Sequence, residues 1–195
     1  MSISPSLDQV ISGRRRRFTV AEYERAWQSG VFGRDERTEL IEGEIIHVTP
    51  MGSRHASVIL SLVHALYERT RKYFIGSQLP VALGTRNEPE PDVLVLKPAA
   101  DKYKTRKPLA ADILLLVEVC DSSMELDRQV KLPMYARNGV PEVWLIDCAA
   151  NQVHVYRMPE KGNYTKALTV GLEGEIKLSQ ARGVSVKVSE FLSPP

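Results

Sequence analysis

The chain has 195 residues, of which 43% are hydrophobic and 26% charged, the proportions of an ordinary globular protein able to bury a core. No apolar run approaches a bilayer's thickness and no apolar stretch follows the first charges, so neither a membrane span nor a secretory signal is expected, and a cytoplasmic protein is the simplest expectation. Net charge is +2, but Arg14 to Arg17 supply four positive charges, and without them 22 basic residues face 24 acidic ones. The body is thus near neutral, and the basic signal sits in an N-terminal arm over residues 1–17. That arm could neutralise phosphates, or it could be a solvated, flexible leader.

Residues 18–195 read as one domain. The first helix is expected from Val20 to Ser29, because Thr19 and Glu22 have capping-box spacing and Gly30 offers a stop. Thr38 to Val48 reads as a β-hairpin turning at Glu42-Gly43, where glycine supplies the positive φ. Ser53 is placed to cap a long helix over Arg54 to Phe74. Its apolar face would carry Ile59, Leu62, Val63, Leu66, Tyr67 and Tyr73, and one further turn back along that face lies His55. A short strand is expected over Gln78 to Leu83, and another over Pro91 to Leu96.

After a charged loop, Asp112 to Val119 contains Ile-Leu-Leu-Leu-Val, the pattern of a central strand buried on both faces. A helix over Leu126 to Arg137 follows, stopped by Asn138-Gly139, with a kink or late start at Pro133. Glu142 to Asp147 is a further strand, and Gln152 to Val188 alternates like two or three antiparallel strands. This order gives an α/β or α+β class. Cys120 and Cys148 each follow a predicted buried strand; they are too few for a disulfide framework or a cysteine-rich zinc site and read as reduced packing residues.

Glu118 follows five consecutive apolar residues, so it is a carboxylate in a strand expected to be buried. Such a group must be paired, protonated or bound to a cation. Asp92 opens the preceding strand. If the two strands are neighbours, both carboxylates can meet at one sheet edge, where a hard divalent cation, magnesium or manganese, would relieve their repulsion. The structural alternatives are a turn hydrogen bond for Asp92 and a buried ion pair for Glu118, the latter with Lys131 as partner. Trp144, Tyr135 and Tyr67 read as core residues, and Asp147 as a strand-end turn residue.

Pro91-Asp92 followed by Glu118-Val119-Cys120 resembles the PD-(D/E)XK nuclease signature. More of the chain resembles the Uma2 family of restriction-endonuclease-like proteins. The blocks that carry the resemblance are Glu39 to Ile45, His55, Glu88 to Val93, Val117 to Val119, and Asp127 to Asp147, which together span roughly residues 18–158. The resemblance implies a restriction-endonuclease-like fold, with a central mixed sheet flanked by helices and a C-terminal antiparallel β extension. It also implies an endonuclease that hydrolyses phosphodiester bonds of nucleic acid, with DNA the expected substrate.

In that implied site Asp92, Glu118 and the Val119 carbonyl hold Mg2+ or Mn2+. The superfamily places a lysine two residues after the glutamate, where this chain has Cys120, and the resemblance implies that the lysine has moved to Lys131. The alternatives for Lys131 are an ordinary exposed residue, or one paired with Asp127 four residues earlier. Glu39 and His55 form a second tier. Glu39 would be linked to the metal, or it could face solvent in an amphipathic strand. His55 at a helix N-terminus would suit a phosphate, or it could be a hydrogen-bonded structural residue. Gln78 is a further residue that could face inward beside Asp92. A homodimer would let two sites cut two strands, an argument from utility. The rival reading is a nuclease-fold domain that binds nucleic acid or a protein without catalysis.

Overall fold

The structure, a computed structural model, describes residues 15–48, 51–121 and 123–193. Helix α1, Val20–Gln28, begins as expected: the Thr19 hydroxyl accepts the Glu22 amide at 3.3 Å and Glu22 Oε2 accepts the Thr19 amide at 2.9 Å. Strands β1, Thr38–Ile41, and β2, Glu44–His47, pair antiparallel with Ile41 opposite Glu44. The two residues between them, Glu42 and Gly43, have φ of 52° and 80°, the left-handed pair that a two-residue hairpin turn demands. Arg14 and the residues before it lie outside the described residues. Arg15 and Arg17 lie along this hairpin, Arg17 donating to the Glu42 carbonyl at 2.8 Å and Arg15 approaching Glu44 at 3.4 Å.

Helix α2 runs Ser53–Arg69, and Gly52 rather than Ser53 is its N-cap, with no side-chain cap. It buries Val58, Ile59, Leu62, Ala65 and Leu66 against one face of the main sheet. The helix stops earlier than its periodicity suggests. Thr70 donates its hydroxyl to the Leu66 carbonyl at 2.6 Å, and Phe74–Ser77 leaves the helix to become strand β3. The strand expected at Gln78 to Leu83 therefore comes one segment early, in a β-prone Tyr-Phe-Ile stretch. Tyr67, expected in the core, is 59% exposed, because the helix turns it away from the sheet.

Six strands form the main sheet in the order β3-β4-β5-β6-β7-β8. They are β3, β4 (Val93–Leu96), β5 (Ile113–Cys120), β6 (Glu142–Asp147), β7 (Gln152–Glu160) and β8 (Asn163–Gly171). All pairings are antiparallel except β5 with β6. Every residue of β5 is buried, as its apolar run requires. Alternation divides it: Val117 and Val119 face α2, whereas Leu116 and Cys120 join a second core with Leu145, Met134 and Tyr135.

That second core is closed by a helical run from Met124 to Arg137 in three parts. Helix α3 is Met124–Leu126, a π-helical turn covers Asp127–Lys131, and helix α4 is Leu132–Arg137. The Leu132 amide bonds to the Asp127 carbonyl, five residues back. Pro133, without an N–H, cannot restore the normal ladder just after it, so the expected kink takes the form of a π turn. Strands β7 and β8 supply the expected C-terminal extension, and β9 (Glu175–Lys177) with β10 (Ser185–Lys187) adds a separate two-stranded sheet. Cys120 and Cys148 are free and buried. No helix among the described residues is long and apolar enough to cross a membrane.

Candidate active site

The register of β4 on β5 brings the two acids of the sheet together. Val93 pairs with Val117, and one further antiparallel step sets Asp92 opposite Glu118. Asp92 is buried and uses both oxygens: Oδ2 accepts the Val119 amide at 2.8 Å, and Oδ1 lies 2.9 Å from Nε2 of His55. His55 reaches it from the first turn of α2. That hydrogen bond raises the histidine pKa above its ordinary value, against the opposing effect of burial. Asp92, Glu118, Glu39, His55, Lys131 and Gln78 all line one cleft, whose other walls include Arg37, Glu90, Asp121 and Asp127.

Lys131 comes to this cleft from the π turn. Its Nζ lies 2.8 Å from Glu39 Oε2, 3.3 Å from Glu118 Oε1 and 3.8 Å from Asp127 Oδ1, and it is only 7% exposed. Burial opposes its charge, but Glu118, Glu39 and Asp127 together outweigh burial and hold the ammonium above its usual range. Glu39 is fixed from the other side by the Glu90 amide, which donates to Oε1 at 2.8 Å. Burial pushes the Glu118 carboxyl well up. Lys131 pulls it down, and the like charges of Asp127, Asp92 and Glu39 add to the rise. Asp127 is also raised by burial, partly offset by Lys131.

Position 120 explains the geometry of the lysine. Glu118 and Cys120 are two apart on one strand, so a side chain at 120 projects on the same face as Glu118. The thiol there is buried, and the desolvation of its surroundings pushes its pKa far up, so it stays protonated. Lys131 delivers an ammonium to that face from the helix packed over it.

Among the described residues, no three His, Cys, Asp or Glu side chains already converge as a metal-ligand set. The donor chemistry nevertheless fits a hard divalent cation. Three buried carboxylates, Glu39, Glu118 and Asp127, share one lysine, and a fourth, Asp92, lies against His55, so carboxylates outnumber the cations facing them. Oε2 of Glu118 accepts no hydrogen bond among the described residues, and Glu118 lines the cleft.

Asp127, Tyr135, Glu90 and Arg37 were not singled out as site residues from the sequence. Asp127 was visible there only as a partner for Lys131, and Tyr135 only as a core residue. The segment Glu90-Pro91-Asp92 carries a signal for Glu90: the proline favours an extended backbone, in which acids two apart share a side. Arg37 precedes β1, pairs with Glu90 at 3.3 Å, and had no sequence signal.

A family model named Uma2 and described as "Putative restriction endonuclease" matches residues 20–189. Among solved structures, the chain is similar to a crystal structure from Anabaena variabilis described as a "putative nuclease belonging to DUF820". The TM-score is 0.71 at 16% identity, over 89% of this chain and 97% of that one. No curated protein matches the chain.

Proposed function

The chain belongs to the Uma2 family, and on that premise we propose that it is a metal-dependent endonuclease acting on nucleic acid, with DNA as the substrate. The observation that carries this reading is the meeting of Asp92, Glu118 and Lys131 in one cleft from three separate elements. In this reading Asp92 and Glu118, with the Val119 carbonyl, hold Mg2+ or Mn2+. Such an ion, when bound, supplies Lewis acidity toward the phosphate and toward an attacking water.

The protein's own groups do the rest. His55 holds Asp92 in its rotamer through Oδ1. Glu39, itself fixed by the Glu90 amide, holds the Lys131 ammonium at the mouth of the acid pair. From there Lys131 orients the attacking water or stabilises charge gathering on the phosphorane-like transition state, a role that needs a fixed cation in a dry site. The reading extends to a cytoplasmic homodimer in which two sites cut two strands; sedimentation of the protein measures the second part.

The second reading, a binding domain without catalysis, draws on the same lysine: an ammonium among the carboxylates already neutralises part of their charge. One experiment separates the two. Melting temperature is measured for the wild type and Asp92→Ala with and without Mg2+ and Mn2+, and both proteins are incubated with DNA and RNA. A metal-dependent rise and cleavage in the wild type, both absent in Asp92→Ala, support the nuclease. Nucleic-acid binding with no metal response and no cleavage favours the binding domain.

A further inference from the structure

Asp127, Lys131 and Tyr135 follow at four-residue steps along the run from the π turn into α4, so one side of that helix meets Glu118 repeatedly. Two of the three reach the same atom. Lys131 Nζ lies 3.3 Å from Oε1 of Glu118, and the hydroxyl of Tyr135 donates to that oxygen as well. Oε2 of the same carboxylate accepts no hydrogen bond among the described residues.

Tyr135 has no exposed surface at all. Its ring packs with Leu116, Leu145 and Met134, a task that phenylalanine would perform without bringing a hydroxyl out of water. The buried hydroxyl has a single hydrogen to donate, and it goes to Glu118. A carboxylate held by one partner can still swing about its last torsion. Held by two donors at one oxygen, from a helix anchored in the core, it presents the other oxygen in a fixed direction.

We propose that Tyr135 is a positioning residue of the site: with Lys131 it ties up Oε1 of Glu118 and commits Oε2 to the cleft as the ligand oxygen for a divalent cation. The assignment rests on the metal-dependent reading above and adds to it a residue that touches neither substrate nor cation. Hydrogen bonds behind a ligand group typically govern metal affinity by about 10–100-fold.

The test is calorimetric titration of Mn2+ into the wild type and Tyr135→Phe, which keeps the ring and removes the hydroxyl. The melting temperature without metal is recorded alongside. The expected result is a Kd for Mn2+ raised about 10–100-fold in Tyr135→Phe. A lower melting temperature with an unchanged Kd makes the hydroxyl merely structural and overturns the proposal. A wild type that takes up no Mn2+ overturns the metal-dependent reading itself, a different result from wild-type binding that Tyr135→Phe leaves untouched. If Tyr135→Phe fails to fold, 3-fluorotyrosine placed at position 135 replaces it. Its stronger donor should shift the Kd, and an unshifted value overturns the proposal.

Discussion

Lys131 and Glu39 stand 92 positions apart in the chain, yet the lysine Nζ lies 2.8 Å from Oε2 of Glu39. This contact ties the π turn to the β1–β2 hairpin across the cleft, and Glu118 and Asp127 complete the surroundings of the ammonium. The lysine is therefore both the balancing charge of the acid cluster and the group assigned to the transition state.

Replacing Lys131 with alanine should show both roles. Turnover is expected to vanish while divalent-ion binding persists, because Asp92 and Glu118 remain. Stability should fall by about 3–5 kcal/mol, the usual cost of stripping one partner from a buried ion pair. Normal cleavage by Lys131→Ala in a plasmid-nicking assay would sink the catalytic assignment, and denaturant titration measures the stability loss.

Position 120 offers a rescue. Since Cys120 projects on the face of Glu118, Cys120→Lys in the Lys131→Ala background returns an ammonium to the acid cluster from the strand instead of the helix. The double variant should be more stable than Lys131→Ala alone and should recover cleavage by about tenfold or more, equivalent to ~1.4 kcal/mol of barrier. A double variant less stable than the single one would mean that this face accepts the charge only from the helix.

The hairpin that carries Glu39 turns on Gly43. Its φ is +80°, and a Cβ there would stand 2.6 Å from Arg17 Cβ and 3.0 Å from the Phe18 carbonyl oxygen. Gly43→Ala should therefore cost more than the ~1–2 kcal/mol of a left-handed alanine, with loss of the Phe18-to-Gly43 backbone bond, 2.8 Å here. Chemical denaturation gives the cost, and a variant as stable as the wild type would show that the segment before α1 yields easily.

Glu88 provides a pH signature away from the cleft. Burial raises its pKa, with Lys107, 2.5 Å away, pulling it back, and its Oε2 is buried without a hydrogen-bond partner. A carboxyl raised on folding contributes stability that is fully present below its unfolded value of about 4.5 and is lost as pH rises through the folded value. Glu88→Gln should abolish that decline as pH rises above about 4.5 while leaving Lys107 its partner Glu24 at 2.6 Å. Identical pH–stability curves for the two proteins would contradict the assignment.

Much of this arrangement was legible because certain residues are costly anywhere else. Glu42-Gly43 marked its own turn, since few other pairs accept two positive φ values in succession. Glu118 stood out as a charge inside an apolar strand, and its nearness to Asp92 followed from treating β4 and β5 as neighbours. The end of α2 was not legible. The periodicity of Tyr67 and Tyr73 continued the helix face, whereas the Thr70 side-chain bond to Leu66 and the pairing of Phe74 with Leu96 end it. Tyr135 has the sequence pattern of a core residue, which it is; the bond from its hydroxyl to Glu118 depends on a direction that no sequence period encodes. Lys131 entered through the family resemblance, because nothing local distinguishes a buried lysine from an exposed one paired at i−4.

The π turn at Asp127–Lys131 has a consequence for when the charge centre comes into being. The Glu118 carboxylate rides on the sheet, but its ammonium arrives on a helix that must dock over it. A chain caught partway, with strands paired and this helix still loose, holds that acid without its counter-charge. On the proposed reading, such a molecule would lack the cation assigned to the transition state.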